Sequence, residues 1–368
     1  MGKRGASCTK RAKNQSSDWS KLLRIYKFVL AAALAFPLSL LAQEAVLRTV
    51  HPLYMPAPVD SNSPAAWIDG QLVIFNSAGM PLVSRGGSQF LPFDTEAVSL
   101  NEMNQIPVWI EAVWLDEDGT LFAWYHHEPP GLCGPGSELT APFIGAMVSH
   151  DGGRSFSDLG PVLMSGDALN CEARNGFFAG GHGDFSVIPD RNNEYFYFLF
   201  GNYGGDGSQQ GVAVARMLIA DRYAPSGNAW KYFQGEWGEA GLGGQVTPVF
   251  PVREPWQNQN TDAFWGPSLH WNTYLEKYVM LLSRACCDTR WPQKGIYVSY
   301  SADLADPASW SQPKLLLEDI GFGPGWYPQV LGERFGETDS VASRVARLYV
   351  HGVSHWEIEF RPETGPIQ

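Results

Sequence analysis

Three acidic residues stand at or near the head of hairpin-like segments: Asp60 (DSNSPAAWIDGQLVIFNS), Glu111 (EAVWLDEDGTLFAWYHHE) and Asp184 (DFSVIPDRNNEYFYFLFGNY). Asp at such positions often does no more than cap a turn. Glu111 is more telling, because it interrupts the apolar run from Val108 to Trp114. A carboxylate buried there needs a partner or a chemical task. Carboxyl groups gathered in one place can divide their roles. Burial and crowding keep one protonated while another stays ionised, and general acid–base work needs both forms at once.

What would gather them is a frame that recurs five times: a polar or Pro-containing start, a strand, a turn and a second strand rich in aromatics. It covers 60–77, 111–128 and 184–203, then 265–284 (WGPSLHWNTYLEKYVMLLSR) and 326–351 (WYPQVLGERFGETDSVASRVARLYVH). In an antiparallel sheet the first strand starts at the face to which the second returns, so starts and returns share one mouth. Strand starts bring Asp60, Glu111, Asp184 with His182, Trp265, and Trp326 and Tyr327 with Gln329. Returns bring Asn76, the run His126-His127-Glu128, Asn202 and Tyr203, Arg284 and His351. Aromatic faces beside amides, carboxylates and an Arg suit sugar recognition. Neighbours on a strand point to opposite faces, so only His126 and Glu128 can share a side, and a sugar contact is expected there rather than a metal.

Further short strands follow several frames, at 144–163, 211–223 and 295–317. Four strands per unit and five units give an all-β chain: a five-bladed β-propeller of four-stranded antiparallel blades, occupying 43–368 as one domain. The 39 Gly, 26 Pro and 13% aromatic residues agree, since they disfavour long helices. Residues 273–285 have helix-forming composition, but the register of the other frames favours a hairpin. Residues 94–105 lack Gly and Pro and suit a short helix between blades.

The run SHDGGRSF at 149–156 matches the Asp-box pattern of sialidases and other propellers. Asp151 can accept turn amide hydrogens there, the glycines permit positive φ, and Phe156 plugs between strands. SYSADL at 299–304 with Trp310 looks like an outer-strand segment of arabinanase and β-xylosidase propellers. With the five-fold frame, these make the chain resemble the five-bladed glycosidase superfamily that includes levansucrase and invertase.

The resemblance implies cleavage of glycosidic bonds by three carboxyl groups near the inner-strand starts of the first three blades. On that reading Asp60 is the base or nucleophile, Glu111 the positioning and pKa-tuning group, and Asp184 the acid. The chain departs from the usual pattern, in which the second position is commonly Asp and the third Glu. No cofactor is expected, although related propellers hold a divalent cation in the central channel. A glycan-binding propeller without catalysis is the second reading. A sialidase-like enzyme is the third, disfavoured because no cluster of three Arg at strand starts is evident.

Basic residues from Lys3 to Lys27 precede an apolar run at 28–42, the pattern of a signal peptide over 1–42 or of an uncleaved anchor. The run is short for a membrane span. The remainder would carry 18 Lys and Arg against 37 Asp and Glu, a formal charge of −19. Such a surface repels phosphate backbones, so the expected partner is a neutral poly- or oligosaccharide and not nucleic acid. Export to an oxidising compartment gives Cys133 and Cys171 the means to close a loop. Adjacent Cys286 and Cys287 are open to a strained mutual bond, free thiols or another pairing. No phosphate loop, nucleophile elbow or HExxH run stands out.

Overall fold

In the computed structural model, residues 44–101, 103, 105–318 and 325–362 are described; the proposed signal segment lies outside them. Strands form five separate antiparallel sheets arranged as the five blades of a propeller. The inner hairpins are Ala65–Ile68 with Gln71–Ser77, Val108–Leu115 with Leu121–His127, His182–Pro189 with Tyr195–Asn202, Ala263–Asn272 with Lys277–Ala285, and Pro328–Gly332 with Val345–Val350. Those of blades 1 and 5 fall inside the repeated frame, and the other three match it but overrun it by one to three residues. The stretch at 273–285 is therefore a hairpin, because its apolar side chains are shared between two sheet faces rather than gathered on one helical stripe.

Two expectations need correction. Residues 94–105 hold no helix among the described residues. Asp94–Ala97 is the fourth strand of blade 1, and Ser99–Asn101 runs parallel to the outer strand of blade 2. Sheet edges there offered unpaired backbone groups, and pairing outweighed local composition. Blades 1 and 5 have four strands, but blades 2 and 4 have five and blade 3 has six.

The ring closes through the first described strand, Glu44–Tyr54, which pairs with Val353–Arg361 as the outermost strand of blade 5. That pairing covers the outer side of Val353–Arg361 and joins the first described strand to the last. The core is divided among the blade interfaces. Phe75 and Phe156 pack between blades 1 and 2, Trp124 and Phe198 between 2 and 3, Leu199 and Leu269 between 3 and 4, Val298 and Leu348 between 4 and 5, and Leu331 and Ile74 between 5 and 1. Phe156 is fully buried beside the 149–156 turn, where Asp151 accepts from Ser149, Ser155 and the Arg154 amide. A sixth cluster, almost wholly aromatic, lies at the channel mouth. No helix among the described residues is long and apolar enough to cross a membrane.

Candidate active site

The inner strands of blades 2, 3 and 4 each break register near their starts, at Glu111, at Asp184 and at Gly266-Pro267. A bulge turns a side chain out of the alternating pattern. Here it sends two carboxyls toward the propeller axis. Asp184 holds φ at +45°, and two other residues at the mouth, Trp291 and Tyr327, also have positive φ. Such strained residues cost on the order of 1–3 kcal/mol each and concentrate at functional sites.

Glu111 is a linchpin with no exposed side-chain surface. One oxygen meets His126 Nδ1 at 3.0 Å and the other accepts the Phe185 amide hydrogen at 3.0 Å. The far nitrogen of His126 faces Glu128 at 3.3 Å. Burial opposes charge on this ring, but bonds to Glu111 and Glu128 prevail and raise its pKa well above the ordinary value. His126 is therefore an imidazolium held between two carboxylates. The Asp184 amide also approaches Nδ1, at 3.3 Å, a contact that a protonated nitrogen does not accept. Gly183 makes room for this ring, since a Cβ there would come within 2.7 Å of its Cε1.

Asp184 is buried and takes a hydrogen bond from the Tyr203 phenol. Burial raises its pKa to about 7, against the pull of His126 and with repulsion from Glu111. Asp60 precedes its strand, anchored by its amide to Ser77 O at 2.7 Å. Burial and the Glu128 charge push its pKa up to about 6, while His126 draws it down.

Asp60, Glu128 and Asp184 open onto one cavity of about 230 Å³. Its other walls are aromatic: Trp109, Phe177, Phe178, Trp265, Trp291, Trp326 and Tyr327. Among the described residues no Lys or Arg lines it. Of the residues expected at the mouth, Asp60, Asp184, Trp265, Trp326 and Tyr327 face the cavity, and Glu111, His126 and Tyr203 lie directly behind it.

The others have different partners. Asn76 donates to Ser63 Oγ, and Gln329 binds both the Ser63 amide and its carbonyl. His127 bonds Pro107 O because it points opposite to His126. His182 sits against Phe200, its pKa driven well below normal by burial. Arg284 is clamped to Asp262 at 2.8 and 2.9 Å, and His351 stacks on Tyr327 without lining the cavity.

The sequence pattern puts Glu128 at the mouth without a role and does not mark Trp109, Phe177, Phe178 or Trp291 as wall residues. The available signals were the HHE run and the Gly-rich GGHGD at 180–184, whose glycines mark close backbone approach.

Ligating atoms of Glu111, His126 and Asp184 lie within 4.8 Å of one another. In the interior, Asn62 Oδ1, Asn76 Oδ1 and His270 Nε2 are buried without hydrogen-bond partners, and burial lowers the His270 pKa to about 3. These are neutral acceptors of the sort that ordered water satisfies.

No protein-family model matches the chain, and no curated protein matches it. Solved structures do share its fold. A thermostable family-43 glycoside hydrolase aligns with a TM-score of 0.50 at 11% identity, over 84% of this chain and 91% of that one. The α-L-arabinanase of Cellvibrio cellulosa aligns with a TM-score of 0.50 at 11% identity, over 82% and 91%. The likeness is one of fold. It places this chain beside five-bladed glycosidase propellers in architecture.

Proposed function

We propose that the protein is a glycoside hydrolase acting on neutral glycans. The observation that carries this reading is the pairing of Asp60 and Asp184 across one aromatic cavity, with both pKa values raised and Glu111 fixed behind them.

Asp184, kept protonated by burial, gives its proton to the glycosidic oxygen as the C–O bond breaks. The positive charge that develops at the anomeric carbon meets the carboxylates of Asp60 and Glu128. Water then completes the reaction. Asp60 either takes its proton or first attacks the carbon itself, and the two courses differ in the anomer released. Glu111 holds His126 and the Phe185 amide, and so acts as a positioning residue. Indole and phenol faces stack on the C–H surface of a sugar, while the carboxylates accept from its hydroxyls. A cavity lined by acids and no Arg repels a carboxylate-bearing sugar, which speaks against a sialidase-like role.

We also propose that the protein works outside the cytoplasm. Its Cys133–Cys171 bond and the basic-then-apolar N-terminal sequence support this.

The test is release of reducing sugar from a panel of neutral plant- and algal-type glycans by the purified protein, compared with Asp184→Asn. Release that the variant loses is the expected result. Binding without release by the wild type would reassign the protein as a glycan-binding propeller, and neither binding nor release would end the carbohydrate reading.

A further inference from the structure

Every blade contributes to the cavity wall among the described residues. Asp60 stands for blade 1 in its wall, Glu128 for blade 2, Asp184 for blade 3, Trp291 for blade 4 and Tyr327 for blade 5. Above the sheets, the loops that carry these walls are fastened to one another. The Cys133–Cys171 disulfide joins the blade 2 loop to the connection leading into blade 3. Arg290, in the loop between the second and third strands of blade 4, donates its amide hydrogen to Asn175 O of that connection at 3.0 Å. Its guanidinium meets Glu138 of the blade 2 loop at 3.2 Å. Trp326 of blade 5 donates its indole hydrogen to Trp291 O at 3.3 Å, and Phe177 packs against both Trp rings at 5.1 and 5.9 Å.

The remaining arc is also tied. The Met55 amide bonds Gly352 O at 2.8 Å, and the Val108 amide bonds Gly79 O at 2.9 Å.

A glycan cut in its interior must leave a site in two directions, which needs a groove with two gaps in the rim. A rim whose described loops are tied from blade to blade favours one way in, along the propeller axis. The cavity volume of about 230 Å³ falls below the roughly 300–1,000 Å³ of sites for drug-sized ligands, and matches one sugar ring better than two.

We propose that the site takes the non-reducing terminal sugar of a chain and cuts only there, releasing one sugar per event. The end follows from the chemistry. The sugar whose anomeric carbon faces the carboxyl pair lies inside, and the remainder, attached through the leaving oxygen, extends out of the mouth. The proton of Asp184 goes to that oxygen, and water supplies the hydroxyl of the freed sugar. The proposal rests on the hydrolase reading above.

The experiment uses the whole exported chain and oligosaccharides of one linkage in two forms: reduced at the reducing end, or blocked by alkylation at the non-reducing end. Monosaccharide as the sole early product, unchanged cleavage of the reduced form and at least 100-fold slower cleavage of the blocked form are expected. Early di- and trisaccharides, or equal cleavage of the blocked form, would overturn the proposal while leaving the hydrolase reading intact. If no oligosaccharide is cut, calorimetry with the same two forms decides. Loss of binding on blocking the non-reducing end upholds end-on entry, equal binding refutes it, and no binding of either form removes both readings.

Discussion

The phenol of Tyr203 donates its hydrogen to Oδ2 of Asp184 across the inner hairpin of blade 3. The bond favours the ionised carboxyl, and burial opposes it more strongly. Tyr203→Phe removes the donor and keeps the ring, which stacks on Phe178 at 4.4 Å. The Asp184 pKa should then rise further above its present value of about 7. The alkaline limb of the pH–rate profile should move to higher pH, with a loss of a few fold at the optimum. A purely structural Tyr203 would lower stability and leave that limb in place.

Glu111 and His126 form the second relationship open to test. Glu111→Gln removes one of the two carboxylates that hold the ring protonated. The His126 pKa should fall, visible as a shifted imidazole titration by NMR. Without an ordered ring beside the Asp184 amide, kcat should drop about 10- to 100-fold with a smaller change in KM, as for a group acting through others. An unchanged imidazole titration would show that Glu128 alone sets the charge.

Asp339 lies away from the site, between blades 5 and 1, and its pKa is raised by burial to about 7 although it accepts the Ala65 amide hydrogen at 2.7 Å. The folded state binds this proton more tightly than the unfolded state. Its stabilising contribution is therefore complete below the ordinary value of 3.8 and is lost as pH rises through about 7. Asp339→Asn keeps an acceptor for Ala65 and cannot ionise. The difference in Tm between this variant and the wild type should be smallest near pH 4 and should grow by a few degrees in the variant's favour by pH 8. Melting curves at the two pH values decide the matter.

The hairpins were legible because a strand with alternating burial, a tight turn and an aromatic return is a local pattern. Glu111 was legible because an acid inside an apolar strand violates that pattern. Asp184 was visible as a strand start, but its aim toward the axis depends on a bulge and a positive φ that neighbouring residues impose. Trp291, Phe177 and Phe178 come from loops without period. Their place in the wall is fixed by the Cys133–Cys171 disulfide and by contacts between blades far apart in sequence, which no local spacing encodes. His182, two residues before Asp184, turned inward against Phe200, because the bulge at Asp184 breaks the alternation that would put positions two apart on one face.

The productive state needs Asp60 ionised and Asp184 protonated. Burial raises both pKa values, Asp60's to about 6 and Asp184's to about 7, so this state is most populated at mildly acidic to neutral pH, and kcat/KM should fall on either side of that range. Asp184→Asn should cost on the order of 10²–10⁴ in rate and erase the alkaline limb, while Asp60→Asn should erase the acid limb. Glu128→Gln separates the pair further. Repulsion from Glu128 is the second-largest cause of the Asp60 shift but a minor cause of the Asp184 shift. The acid limb should therefore move to lower pH by more than the alkaline limb moves, and the profile should widen. A profile that shifts as a whole without widening would show that Glu128 acts on both carboxyls alike and that Asp60 does not set the acid limb.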